Sequence, residues 1–255
     1  MCLSCQWRTI NSSSEINIYD PDPTATATTT TTIPKGYPPL TSRKCAEKLR
    51  KSKMARPYFR DWTNLQFHKG KTFIAPPRLF RGDLSLYFPN LYGQTLLKSD
   101  RSPRDTTPTL QGRISIVSMF SSMWGESQAR SFASAESNPE LEALLRQHPA
   151  RAQHVWVNVE EDAMKAWLIR LFAGGLRRRV GEPNWHRYFV VRKGISEEIR
   201  ESIGYLNSKV GYTYLLDGEC RIRWAGSGPS EDHEREGLVK GVQRLLGEEA
   251  AAKKN

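Results

Sequence analysis

The chain has 255 residues, room for one large or two small domains, and only 38% of them are hydrophobic. Its formal charge of +11 sits at one end: residues 1–112 hold 17 Lys and Arg against 8 Asp and Glu, residues 113–255 hold 21 against 19. No stretch approaches the roughly 20 apolar residues that span a bilayer, and the first residues lack the charged start and apolar core of a secretory signal.

Residues 1–40 read as disordered. Thr24–Thr32 is a threonine and alanine tract flanked by Pro21, Pro23, Pro34, Pro38 and Pro39, which buries too little apolar surface to offset ordering entropy. Cys2 and Cys5 form a C-x-x-C here, but no second ligand pair of matching spacing completes a metal site. With Cys45 and Cys220 they make four scattered thiols, a usage that suits a reducing compartment. Residues 41–60 carry eight Lys and Arg and one acidic residue. That texture suits a mitochondrial presequence displaced from the first residue; it equally suits a solvated basic linker, or an arm touching RNA or anionic lipid. The expected organisation is a low-complexity or targeting region over 1–53, a basic linker over 54–77, a globular domain over 78–247 and a flexible tail over 248–255.

The domain opens on RLFRGDLSLYFPNLYGQTL, whose turn signals predict a hairpin, followed by a polar loop from Lys98 to Pro108. Ile114–Phe120 is a short apolar run that predicts a buried strand. A helix is expected from about Glu126 to Gln147, stopped by Pro149, because proline lacks the N–H that a helix interior needs. A strand over His154–Glu161 follows, with Val155, Val157 and Val159 alternating with Trp156 and Asn158. Asp162 then caps a helix whose Met164, Trp167, Leu168, Leu171 and Phe172 share one face and which Gly174 and Gly175 end. Beyond it come a strand over Trp185–Arg192 and a short helix near Ser196–Ile203. A hairpin over Tyr212–Gly228 turns at Asp217-Gly218, a pair that tolerates the positive φ of a two-residue turn. An amphipathic helix over Pro229–Glu248 closes the domain, with Leu238, Val239, Val242, Leu245 and Leu246 on one side. The order implies an α/β fold, a central mixed sheet with helices on both faces.

The run GRISIVSMFSSMWGESQAR, Gly112–Arg130, resembles the strand, loop and helix on which thioredoxin-like and peroxiredoxin-like domains carry their redox cysteines. Aligned on Phe120 and Trp124, the C-x-x-C positions are Gly125, Glu126, Ser127 and Gln128. None supplies the thiolate that thiol exchange requires. Together with HVWVNVEEDAMKAWL, WHRYFVV and YTYLLDGECRIRWAGSG, this run resembles the mitochondrial ATPase complex assembly factor ten family over about residues 78–247. The resemblance implies a thioredoxin-like, non-enzymatic chaperone at the matrix side of the mitochondrial inner membrane. Its client would be newly made subunit a (subunit six) of the F-type ATP synthase, held until it joins the rotor ring. No cofactor, metal or nucleic-acid partner is implied.

The candidate client contacts are Phe120, Met123, Trp124 and Glu126 in the loop after the strand, where open α/β sheets place ligands. Trp124 can alternatively pack beneath that loop. Arg177, Arg178 and Arg179 are candidate contacts to the membrane surface, or a solvated loop beyond a core helix. Two other classes remain open: a divergent peroxiredoxin-like oxidoreductase using Cys220, the one thiol within the domain, and RNA or ribosome binding through residues 41–60.

Overall fold

Ile114–Phe120 is a strand buried at every position, as expected where both faces of a sheet are covered. The computed structural model describes residues 70–100, 102–160, 173–192 and 195–252. Seven strands form one sheet: β1 (Tyr92–Thr95), β2 (Arg104–Asp105), β3 (Ile114–Phe120), β4 (Ala152–Val159), β5 (Tyr188–Val191), β6 (Tyr212–Leu216) and β7 (Ile222–Ser227). Their order is β2-β1-β5-β4-β3-β6-β7. β3, β4 and β5 run parallel, and the remaining neighbours pair antiparallel.

The helices are α1 (Thr107–Leu110), α2 (Met123–Ala133), α3 (Pro139–Gln147), α4 (Ala173–Val180), α5 (Glu197–Ser202) and α6 (Asp232–Ala252), with a 3-10 turn at Glu182–Arg187. Alternation along β3 sorts the core. Val117 and Met119 join Val155, Val157, Phe189 and Tyr214 on one face, which Phe88, Leu91, Ile203 and Tyr205 cover. Ile114 and Ile116, on the other face, join Leu215 and Trp224 beneath Phe132 of α2, Leu141 of α3 and Leu238 of α6. Farther along that face Phe120, Tyr188 and Val190 pack with Ala129, and Leu176 and Val180 of α4 lie against them. A mixed sheet with helices on both faces, redox-type β3 leading into α2, is a thioredoxin-like fold.

Several expectations are corrected. Residues 78–97 do not pair with one another. Tyr87 bridges Arg221 beside β7, while Gly93–Thr95 pair with Phe189–Val191 at the other side of the sheet, so the segment crosses the core instead of turning back. The helix expected over 126–147 is two helices. Asn138 accepts from the Leu141 N–H, and Pro139 begins α3 where its missing N–H costs nothing. Gly174 and Gly175 lie inside α4, which carries Arg177–Arg179 on its last turn instead of on a loop. Trp185–Arg187 belong to the 3-10 turn, so β5 starts at Tyr188. The turn after β6 is longer than two residues: Asp217 Oδ1 accepts from the Glu219 and Arg221 N–H groups. Its left-handed residue is Cys220 (φ 62°), not Gly218.

The domain also reaches farther than 78–247. Lys71 Nζ donates to the buried Glu234 at 2.6 Å, the Ala75 N–H donates to the other oxygen of Glu234 at 2.9 Å, and the Thr72 and Phe73 N–H groups donate to Ser227. Residues 70–77 are thereby sewn onto α6 and β7, and α6 continues to Ala252. The readings placed on residues 1–69, and the helix face of Met164, Trp167, Leu168, Leu171 and Phe172 with its Asp162 cap, lie outside the described residues.

Candidate functional site

β3 delivers the chain to the sheet edge at Phe120, and α2 begins three residues later. Ser122 caps it: its hydroxyl accepts from the Gly125 N–H at 3.0 Å, so the first turn is held open-ended toward the loop. Ser121 and Ser122 also donate to the Ser208 and Lys209 carbonyls, which ties this loop to the one before β6. Neither hydroxyl is presented as a nucleophile. Both are spent on backbone.

The positions where a C-x-x-C would sit are closed. The Gly211 N–H donates to Gln128 Oε1 at 3.0 Å. A Cβ on Gly211 would overlap the Gly125 carbonyl oxygen and lie 2.8 Å from the Ala129 nitrogen, and one on Gly125 would lie 3.2 Å from the Gly211 nitrogen. Two glycines therefore let the first turn of α2 press its backbone onto the Val210–Gly211 backbone. A thiol at the start of a helix gains acidity from that position; here the space is filled by chain.

The four candidate contacts separate. Met123 is 80% exposed and Trp124 is 43% exposed, whereas Phe120 (2%) and Glu126 (6%) are buried. Phe120 packs edge-on against Tyr188. Trp124 lies against Gly70 and still presents part of its ring to solvent, so it packs and remains accessible. The Glu126 carboxylate accepts from Arg130 Nη2 and Arg179 Nη2, each at 3.0 Å, and so joins α2 to α4. The large exposed apolar side chains at this edge are Met123 and Trp124, with Leu206 on the adjoining loop.

The three arginines also separate. Arg179 is held by Glu126. Arg177 Nε donates to the Leu96 carbonyl at 2.7 Å and its guanidinium lies 5.9 Å from the Trp185 ring centre. Arg178 is exposed and has no partner among the described residues.

Cys220, the sole cysteine among the described residues, is buried in the turn between β6 and β7. Burial, and then the Asp217 carboxylate, push its thiol above the ordinary range, which disfavours the thiolate that a peroxidatic cysteine needs.

One pairing has no counterpart in the sequence reading. Ser118 Oγ and His154 Nε2 share a hydrogen bond of 2.8 Å between the two apolar clusters on the α2 side of the sheet. Burial first, then the Arg130 and Arg187 charges, push His154 down to about 3, so its ring is neutral and rests against Trp156. Ser118 is 1% exposed, which leaves a substrate no approach. Sequence alternation places both residues on one face, but only the register, with Ile116 opposite His154, brings them together.

The profile of the ATP10 protein family matches residues 27–245, which take in every strand described above and most of α6. The chain belongs to the ATP10 protein family. It is 34% identical over 208 residues to a protein of Eremothecium gossypii named mitochondrial ATPase complex subunit ATP10, covering 80% of this chain and 74% of that one. A protein of Saccharomyces cerevisiae with the same name is 30% identical over 188 residues, covering 69% and 66%. Among solved structures, a secreted thiol-disulfide isomerase of Corynebacterium glutamicum is 12% identical, with a TM-score of 0.43 over 69% of this chain and 93% of that one. No helix among the described residues of this ATP10 family member is long and apolar enough to cross a membrane.

Proposed function

We propose that this protein assists assembly of the mitochondrial ATP synthase, as a thioredoxin-like chaperone that binds a client and performs no thiol chemistry. It acts at the matrix side of the inner membrane. Its client is newly made subunit a (subunit six), held until that subunit joins the rotor ring. Family membership and the names of the relatives support the complex. The observation that carries the binding reading is the edge at α2, where the Gly125–Gly211 contact fills the redox position and Met123 and Trp124 stay open beside it. An unassembled channel subunit exposes apolar helix faces, and a thioether beside an indole supplies an adaptable apolar contact to such faces. The arginines of α4 turn the same molecule toward anionic headgroups.

The test is crosslinking of the full chain to pulse-labelled translation products in mitochondria, with Met123→Ser and Trp124→Ala beside the unaltered chain. Subunit a should be recovered with the unaltered chain and fall severalfold with the variants while the fold persists. Recovery of no channel subunit, or equal recovery with all three chains, would remove the reading.

A further inference from the structure

Beneath α4 lies a cleft of about 390 Å³, lined among others by Lys98, Gly174, Arg177, Arg178, Glu182 and Trp185. We propose that this cleft binds a phosphate group. The proposal deepens the membrane-facing part of the reading above by naming the ligand class and the residues that take it.

The indole of Trp185 is the fixed element. Its Nε1–H donates to the Arg177 carbonyl at 3.0 Å, which sets the ring against α4. Two cations share that ring: Lys98 Nζ lies 5.3 Å from its centre and the Arg177 guanidinium 5.9 Å. The Leu96 carbonyl binds Arg177 through Nε only, so both Nη groups keep their donors. Arg178 lines the same space with no partner among the described residues. Against these three cations stands one carboxylate, Glu182, which forms no ion pair with them among the described residues.

Arg179, one residue on, shows the contrast: its charge is matched by Glu126. Among the described residues the cleft therefore concentrates three cations against the single Glu182 carboxylate, so like charges repel beside the Trp185 ring and a bound anion relieves them. A guanidinium fork with two further cations suits the several oxygens of a phosphate better than a lone carboxylate. The volume accommodates a phosphate with a small attached group. A Cβ on Gly174 would meet nothing within 4 Å among the described residues, which leaves space for a larger side chain at this point of the lining.

A lipid headgroup and free phosphate offer the same chemistry, and two probes separate them. The full chain is sedimented with phosphatidylcholine vesicles with and without phosphatidylglycerol, and titrated calorimetrically with inorganic phosphate. Lys98→Gln/Arg178→Gln removes two cleft charges, and Gly174→Leu obstructs the cleft without changing charge. Arg81→Gln/Arg146→Gln removes two charges from exposed ion pairs elsewhere. Phosphatidylglycerol-dependent sedimentation weakened at least about tenfold by both cleft variants, and little by the remote one, supports a headgroup. Heat of phosphate binding lost in the same variants, with vesicles ignored, supports free phosphate. Equal weakening by cleft and remote variants, or binding of neither probe by the unaltered chain, overturns the proposal. A chain that captures subunit a yet binds neither probe overturns the cleft alone; one that binds phosphate yet captures no channel subunit supports the cleft and removes the assembly reading.

Discussion

The loop after β3 and the cleft beneath α4 are built in opposite ways. At the first, backbone is pressed on backbone through Gly125 and Gly211, the Ser121 and Ser122 hydroxyls are committed, and two apolar side chains remain outside. At the second, the Trp185 ring carries two cations, and with Arg178 they outnumber the one carboxylate, Glu182, among the described lining residues. A redox site would need depth and a polarised thiol at the first place. This chain has closed the depth and left surface, while charge has gathered at the flank.

Glu126 is the hinge between the two, because it holds Arg130 of its own helix and Arg179 of α4. The contrast can be broken most severely at the closed end. Gly211→Ala would force a methyl group into the Gly125 carbonyl, and overpacking against a rigid backbone costs about 3 kcal/mol. Chemical denaturation should show that loss, against under about 0.5 kcal/mol for Met123→Ser on the open surface.

Glu126→Gln comes next. It removes the charge that both arginines meet, but each arginine keeps considerable solvent contact, so the cost is about 1 kcal/mol. Amide hydrogen exchange should quicken in α4 and in the first turn of α2, and stay unchanged in β6 and β7.

His154 gives the most selective effect, absent at neutral pH and growing only as pH falls. Its folded-state affinity for protons is far below the ordinary histidine value, so the unfolded chain binds the extra proton. Stability from this group is complete above about pH 6.5 and is lost as pH falls toward about 3, by about 1.4 kcal/mol per pH unit. His186 is lowered too, chiefly by burial, and adds the same sign. His154→Gln should flatten stability against pH between about 6.5 and 5. An unchanged slope would mean that the ring is charged in the folded protein.

The sequence carried β3 without error, because seven apolar-compatible residues bounded by Gly112 and a polar loop admit little else. The buried face of α6 was as legible, since its five apolar positions are all buried, although the helix runs over Asp232–Ala252 and not over Pro229–Glu248. The hidden parts are those where distant residues complete one another. Residues 70–77 read as linker because Lys71 owes its place to Glu234, more than 160 positions away. The closing of the redox position needed Gly211 beside Gly125, and neither glycine announces its partner. Two glycines usually end a helix, but Gly174 and Gly175 lie within α4, whose Leu176 and Val180 pack against Phe120, Tyr188 and Val190. Of the four candidate contacts, Met123 and Trp124 are exposed and Phe120 and Glu126 are not, a separation that only burial in the folded chain reveals.

Whether sulfur chemistry contributes to the protein's work is the deciding question. The direct measurement is the amount of assembled ATP synthase in mitochondria that depend on this chain, with Cys2, Cys5, Cys45 and Cys220 all replaced by serine. Assembly equal to that supported by the unaltered chain is the predicted result. Assembly that collapses while the substituted protein stays folded and abundant would contradict it.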